Sequence, residues 1–357
     1  MKRSNIIGII AEDCIETYAS ILAVLLSGKT YVILHPNYPD SRNRTIVEST
    51  GMKRVLYGHA SGTQQGLSNE IKCISTLELR DENIDHLTRE RTQDTNKNAY
   101  IIFTSGSTGV PKGVPISRKN LNAFYAAYHQ LGWQLGPTDR MLQMFELTFD
   151  VSVVSTLYPL TLGASIYTVG TNKLKYMRVY ELMEDEELTF VAMPPSLLQF
   201  LSPYFDEIHV PKLKYLIVTA EAANADLLQR FRACAPNAEF VNLYGPTEAT
   251  IYCTAYRIPP EGCKQHNGMI AIGHPFTGID TMIMDENETP VQTGEQGELW
   301  VSGKQVMRGY WQDEEKSRQV FARFNGKKYY KTGDLCSVDP DGDIIYRGRK
   351  DYQVKVQ

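Results

Sequence analysis

Directly after the apolar run Ile101–Phe103 the chain reads Thr104-Ser105-Gly106-Ser107-Thr108-Gly109-Val110-Pro111-Lys112-Gly113. Three glycines, four hydroxyls and one lysine within ten residues make a loop rich in donors. Its backbone amides and hydroxyls suit the oxygens of a phosphate chain, and Lys112 suits their charge. A serine- and glycine-rich surface turn is the plainer alternative. The strand that leads in and the Pro111–Lys112 pair that stiffens the exit favour phosphate. The spacing is not GxxxxGK[ST], because Pro111 precedes Lys112 and Gly113 follows it, so a P-loop kinase or GTPase is excluded. Nor is there a strand-linked GxGxxG for a dinucleotide.

Three further places could carry chemistry. Tyr244-Gly245-Pro246-Thr247-Glu248 follows an apolar run, at the carboxyl end of an expected strand, where open α/β sheets place ligands. There an aromatic face can stack on a base, Thr247 can donate to a phosphate oxygen, and Glu248 can hold Mg2+. A strand-capping turn with a core tyrosine is the alternative. Asp334 lies in a Thr-Gly-Asp turn, and a carboxylate there suits the two hydroxyls of a ribose; otherwise it is a turn former, and Arg349 a surface charge. Asp150 sits among Phe149, Val151, Val153 and Val154, where a buried carboxylate needs a partner. Capping of the helix that follows is its other reading.

The elements that must position these residues follow from periodicity. Ile6, Ile7, Ile9 and Ile10 form a buried-strand run. Glu12 to Leu26 repeats apolar residues at helical spacing and stops at Gly28, and Tyr31–Leu34 is a second strand closed by Pro36 and Pro39. Strand-like runs recur at Arg54–Tyr57, Tyr100–Phe103, Ser165–Thr168, Thr189–Met193, Tyr215–Val218 and Glu239–Leu243, with helical patterns between several. That alternation predicts an α/β fold with a mostly parallel sheet. Glu78 to Asn98 is polar and reads as a surface linker. After about Pro259, glycine-punctuated short strands predict a small β-rich, barrel-like region, with one helix near Glu314–Phe324.

Composition narrows the class. The 357 residues suffice for two or three domain equivalents, and a net charge of −4 gives no pull toward nucleic acid or an anionic membrane. With 42% hydrophobic and 22% charged residues the chain is globular and not disordered, and no apolar run is long enough to insert in a membrane. Six scattered cysteines without a CxxC pair argue against a disulfide scaffold or a zinc site and lead us to expect a reducing, cytoplasmic setting.

Taken together and in order, these segments resemble the AMP-forming adenylation superfamily, which includes acyl-CoA synthetases, luciferases, nonribosomal-peptide adenylation domains and D-alanine–carrier-protein ligases. YVILHPNYP at Tyr31–Pro39 is similar to the early motif of the amino-acid-activating branch. FDVSV at Phe149–Val153, NLYGPTEAT at Asn242–Thr250, GELWVSG at Gly297–Gly303, RGYW at Arg308–Trp311, YKTGDL at Tyr330–Leu335 and GRKDYQVK at Gly348–Lys355 complete the series, so the resemblance covers nearly the whole chain. It implies ATP and Mg2+, an amino acid substrate, and a peptidyl or acyl carrier protein bearing phosphopantetheine. Catalytic roles fall to Thr104, Thr108, Lys112, Thr247 and Glu248, with Glu248 also the metal ligand. Nucleotide contacts fall to Ser105, Gly106, Ser107, Gly109, Gly113, Ala220, Glu221, Asn242, Tyr244, Gly245, Asp334, Tyr346 and Arg349. Among these Tyr244 would stack on adenine, Asp334 would take the ribose hydroxyls, Tyr346 would pack on the ribose, and Arg349 would lie near ribose and phosphates. Asp150 matches the aspartate that pairs with the substrate's α-ammonium group, which fatty-acid and aryl-acid activators generally lack.

The matching pocket walls are Val151, Val154, Ala192, Ile217, Thr219, Leu243, Ile251 and Tyr252. None carries a charge, which favours an apolar substrate side chain of open size. Whether the chain is a stand-alone ligase of the D-alanine type or a module of a larger synthetase also stays open. Thr219 and Ala220 stand where relatives carry a glycine pair, so Ala220 adds a methyl at the nucleotide edge.

The same resemblance divides the chain into a first α/β subdomain with the phosphate loop (1–120), a second with the acid and adenine pockets (121–258), a small β-rich subdomain (259–347) and a hinge about Asp351 (348–357). Relatives begin some tens of residues before Ile6. They also continue into a small carboxyl-terminal domain that swings about the hinge and supplies a lysine during adenylate formation; Lys355 belongs to the hinge strand and is not that lysine. The implied reaction is attack of a carboxylate on the α-phosphate of ATP, giving aminoacyl-AMP and pyrophosphate by positioning and charge stabilisation, with thioester transfer to follow. The competing readings are a carboxylic-acid–CoA ligase, against which Asp150 counts, a nucleotide-binding fragment with little catalysis, and a structural domain with a relic site.

Overall fold

Short apolar runs make most of the strands and 3.6-residue repeats the helices, alternating along most of the chain. The computed structural model describes residues 5–58, 67–68, 70–77, 94–104, 111–170 and 174–350. Six of the expected phosphate-loop residues (Ser105, Gly106, Ser107, Thr108, Gly109 and Val110) lie outside them, as do the hinge residue Asp351 and most of the expected linker from Glu78.

The chain divides into two units. The first comprises Met1–Asn122, Leu147–Phe149 and Met307–Ser317. Its elements are β1 (Ile6–Ile10), α1 (Ile15–Leu26), β2 (Thr30–Leu34), α2 (Asp40–Thr50), β3 (Arg54–Tyr57), β4 (Lys72–Ser75), β5 (Asn98–Thr104) and β6 (Lys112–Ser117), and α3 (Arg118–His129) then leads out of it. The sheet order is β4-β3-β1-β2-β5-β6, parallel throughout except for the antiparallel pair β5–β6. Its core joins Ile6, Ile10, Val32, Leu34, Ile46, Met52, Val55 and Ile101. Each such side chain contributes about 1.5–3 kcal/mol on full burial.

The second unit comprises Ala123–Glu146, Asp150–Val306 and Arg318–Gln357. It contains β7 (Arg140–Gln143), α4 (Val151–Leu162), β8 (Ser165–Thr168), α5 (Lys175–Asp185), β9 (Phe190–Met193), α6 (Pro195–Leu201), β10 (Tyr215–Thr219), α7 (Ala225–Phe231), β11 (Glu239–Tyr244) and β12 (Thr254–Ile258). After a short pair, β13 (Gln265–His266) and β14 (Met269–Ile270), come β15 (His274–Pro275), β16 (Ile279–Met284) and β17 (Gly297–Gly303). α8 (Glu314–Val320) crosses from the first unit into the second and is followed by β18 (Phe321–Phe324), β19 (Lys327–Val338) and β20 (Ile344–Arg349). A seven-stranded sheet runs β15-β12-β11-β10-β9-β7-β8, parallel from β8 to β11 and antiparallel at β12 and β15. An aromatic cluster of Phe124, Tyr128, Trp133, Tyr158, Tyr252 and Phe276 fills its core. β16 to β20 curl into the expected small antiparallel, barrel-like sheet.

One element differs from expectation. The helix over Glu314–Phe324 stops at Val320, because Phe321–Phe324 folds back on Lys327–Tyr330 as a hairpin. Its Asn325-Gly326 turn has both φ values positive (47° and 78°), the two-residue turn that matches strand twist. On either side of the expected phosphate loop the chain forms an antiparallel pair, with Thr104 opposite Lys112 and Phe103 opposite Gly113. No described helix is long and apolar enough to cross a membrane, and none of the six cysteines forms a disulfide.

Candidate active site

In the first unit, β5 delivers Thr104 and β6 begins at Lys112. The Thr104 hydroxyl is buried without a hydrogen-bond partner among the described residues. The Lys112 ammonium donates to the Tyr310 hydroxyl at 3.0 Å and lies 4.8 Å from that ring's centroid, which is the distance a lateral bond to the hydroxyl produces. Next to it the Trp311 amide donates to the Gly113 carbonyl at 2.8 Å. A Cβ on Gly113 would meet the Trp311 Cβ at 2.9 Å, so a side chain at 113 would push the segment 308–311 off the loop's exit. Arg308–Trp311 thus fixes the last residues of the loop.

The remaining described candidates lie in the second unit. β9, β10 and β11 run parallel, and their register pairs Ala192 with Ile217 and Thr219 with Leu243. Alternation then sets Ala192, Ile217, Thr219 and Leu243 on one face of the sheet, at its carboxyl end. Asp150 immediately precedes α4, with Val151 and Val154 on the helix. Its side chain makes no capping bond to α4, so the capping alternative does not describe this residue. Tyr252 links the two groups: burial first, and then the charge of Asp150, push its phenol well above the ordinary range, while the Thr219 hydroxyl works the other way. All nine acid-pocket candidates, from Asp150 to Tyr252, are buried.

Between β11 and β12 the chain makes a closed turn. The Cys253 amide donates to the Tyr244 carbonyl at 2.8 Å, and Thr247–Ala249 form one turn of 3-10 helix that holds Glu248 buried. Gly245 is required by space: a Cβ there would lie 2.5 Å from the Ile251 carbonyl oxygen and 2.7 Å from the Tyr252 Cα. Thr250 and Ile251, both β-branched, have φ of 62° and 71°. That left-handed conformation is rare for such residues and costs on the order of 1–3 kcal/mol each unless the surroundings impose it. Ala220, just past Thr219, is also left-handed, at φ 70°. The methyl anticipated from sequence therefore carries backbone strain as well.

On the nucleotide side, the Tyr244 hydroxyl donates to Asp334 Oδ2, and Arg349 Nη1 donates to Asp334 Oδ1 at 2.9 Å. Asp334 and Arg349 are direct cross-strand partners on β19 and β20, and Tyr346 stands opposite Cys336. Burial, then the charge of Asp334, push the Tyr244 phenol well above its usual range, so it remains a hydrogen-bond donor. Asn242 is buried and donates to the Ala271 carbonyl at 2.9 Å. Glu221 accepts from the Ser196 amide at 3.0 Å and the Ser196 hydroxyl at 2.9 Å, which ties its carboxylate to the first turn of α6. Among the described residues no group of three or more His, Cys, Asp or Glu could hold a metal ion. One buried carboxylate, Glu248, nevertheless suits Mg2+, which takes one or two protein carboxylates and completes its shell with substrate phosphates and water.

Sequence reasoning missed one residue here. Gln305, buried in the Gly303-Lys304-Gln305-Val306 turn after β17, donates from Nε2 to the Tyr252 carbonyl at 2.8 Å and the Ala249 carbonyl at 3.4 Å. Its own carbonyl accepts from Thr250 Oγ1 at 2.5 Å. Nothing in its local sequence marks it, because the contact spans more than fifty residues.

The chain belongs to the AMP-binding enzyme family, whose model matches residues 1–311. Within it the similarity is to adenylation domains of peptide synthetases. Tyrocidine synthase 2 of Brevibacillus parabrevis is 32% identical over 99% of this chain, and zwittermicin A synthase ZmaJ of Bacillus cereus is 31% identical over 99%. The chain spans 10% of the first relative and 68% of the second. The Vibrio cholerae adenylation domain AlmE, solved in complex with glycyl-adenosine-5′-phosphate, has a TM-score of 0.86 at 25% identity, covering 98% of this chain and 71% of that one. The α/β fold with its small barrel-like sheet is that of the adenylate-forming enzymes.

Proposed function

We propose that this chain activates an α-amino acid with an apolar side chain, using ATP to form aminoacyl-AMP and pyrophosphate, and that the aminoacyl group then passes to the phosphopantetheine thiol of a carrier protein. The observation that carries the substrate class is Asp150, a carboxylate buried with eight uncharged candidate wall residues. A buried carboxylate in such a setting favours a cationic partner, which the α-ammonium of an amino acid supplies, whereas a charged substrate side chain would find none among those walls.

In this reading Asp150 orients the substrate so that its carboxylate faces the α-phosphate of ATP, and Thr247 donates to an oxygen of that phosphate. Thr104, Lys112 and the loop between them, with Thr108, hold the phosphates that leave as pyrophosphate. Tyr244 stacks on adenine beside Ala220, Glu221 and Asn242, and Asp334 accepts the ribose hydroxyls with Arg349 and Tyr346 beside it. Glu248 would hold Mg2+, which when bound neutralises phosphate charge. No protein nucleophile takes part; the gain comes from positioning and from donors already aimed at developing charge. We further propose that 1–120, 121–258 and 259–347 act as three subdomains, and that residues after 347 form a hinge about Asp351.

Amino-acid-dependent ATP–pyrophosphate exchange, run with the twenty L-amino acids, D-alanine and glycine, tests this reading. Exchange with one or a few apolar amino acids is the expected result. The matching apolar acids that lack the α-amino group are run alongside, and exchange confined to those acids would overturn it.

A further inference from the structure

The turn between β11 and β12 carries two functions in one strained segment. Glu248, the Mg2+ candidate, lies four residues from Tyr252, an acid-pocket candidate, and the left-handed pair Thr250–Ile251, the second of which is also an acid-pocket candidate, lies in the stretch between them. Two consecutive β-branched residues in this conformation are not held by local preference, which favours the β and right-handed α regions for them. They persist only where the surroundings over-determine them.

The surroundings here are Gln305. From outside the turn it binds the turn at three points: its side-chain amide reaches the carbonyls of Ala249 and Tyr252, and its backbone carbonyl takes the Thr250 hydroxyl. Those contacts bracket the two strained residues on both sides. Gln305, Thr250, Ala249 and Tyr252 are all buried, so water does not replace the bonds if they are lost. The amide's orientation is fixed by chemistry, because only its NH2 end can serve two carbonyls.

We propose that Gln305 is a positioning residue that holds the left-handed Thr250–Ile251 turn, and through it sets both the metal ligand Glu248 and the pocket wall Tyr252. The functional half of this proposal rests on the adenylation reading above. Because one bracket serves two sites, its loss raises the KM for ATP and for the amino acid together, while kcat falls less. A residue that merely stabilised the fold would lower the amount of active protein and leave both KM values alone.

The test uses Gln305→Met, which keeps the side chain's length and removes its donor. Amide hydrogen exchange over residues 247–253 should quicken about tenfold relative to wild type, while β9 and β10 stay protected, and both KM values should rise roughly tenfold, the equivalent of about 1.4 kcal/mol. If Gln305→Met does not fold, Thr250→Val cuts only the hydroxyl tie and should show the same pattern at roughly threefold. Unchanged exchange at 247–253, or exchange that quickens equally across the whole chain, would overturn the proposal, as would a loss of kcat with both KM values intact. If wild-type protein exchanges pyrophosphate with no acid, the adenylation reading falls by itself, and hydrogen exchange alone decides whether Gln305 holds the turn.

Discussion

Replacing Gly245 with alanine isolates the turn at the centre of the site. The glycine's conformation is ordinary, so the constraint is space: the new Cβ would lie 2.5 Å from the Ile251 carbonyl oxygen, 2.7 Å from the Tyr252 Cα and 2.9 Å from the Cys253 nitrogen. All three are backbone atoms, so no side chain can rotate away, and the returning chain must move by about 1 Å to restore ordinary contact. Overpacking of this kind costs about 1–3 kcal/mol of stability, which the rest of the unit can absorb. A shift of about 1 Å at the segment holding Glu248 and Tyr252 is costlier for catalysis, at roughly a hundredfold. Gly245→Ala should therefore lose about two orders of magnitude in kcat/KM for ATP–pyrophosphate exchange, while its unfolding midpoint falls by only a few degrees. The two measurements belong on one preparation. Exchange within twofold of wild type would refute the steric reasoning, and so would a loss that merely tracks global unfolding.

Three other outcomes follow from the geometry. Ala220→Gly should raise stability by about 0.5–1 kcal/mol in urea denaturation, because relief of the left-handed alanine outweighs the extra freedom glycine gives the unfolded chain; a lower midpoint would contradict this. Tyr310→Phe removes the hydroxyl that holds Lys112 and should raise the KM for ATP roughly two- to tenfold without moving that for the amino acid, an effect that should vanish in a Lys112→Met background. Asp139 is buried, which works to raise its pKa, but Lys214 with the Thr189 hydroxyl and the Gly136 amide outweigh burial and hold it below the usual carboxylate range. A depressed folded-state pKa gives stability that is complete above the unfolded value of about 3.9 and is lost as pH falls through the folded value. Urea midpoints should accordingly drop more steeply below about pH 4 in wild type than in Asp139→Asn, and parallel curves would contradict the assignment.

Strands buried on both faces were the most legible elements, because β1, β2, β9 and β10 are mostly apolar runs whose composition separates them from their surroundings. β6 was not legible. Gly113 and Pro115 mark it as loop, yet it is an edge strand, where a missing ladder donor is tolerated. The hairpin at Asn325-Gly326 did carry its signal, and the apolar spacing of the preceding residues masked it. Among the candidate site residues, Asp150 stands out in the sequence as a carboxylate between apolar neighbours. Gln305 does not, since its work is done through carbonyls more than fifty residues away, and the strain at Thr250 and Ile251 is invisible in residue types that normally avoid it. Tyr244 was read for its ring alone; its hydroxyl bond to Asp334 and the cross-strand Arg349 contact needed the register of β19 and β20.

The most direct measurement compares pyrophosphate exchange with an apolar amino acid and with the same acid lacking its α-amino group, in wild type and in Asp150→Ala. A charge-assisted bond of about 1.5–3 kcal/mol predicts that wild type prefers the amino acid by roughly ten- to a hundredfold or more, and that Asp150→Ala loses most of that preference. Wild-type protein that accepts the two acids equally, or an Asp150→Ala variant that keeps the full preference, would contradict the assignment of Asp150 and with it the amino acid substrate.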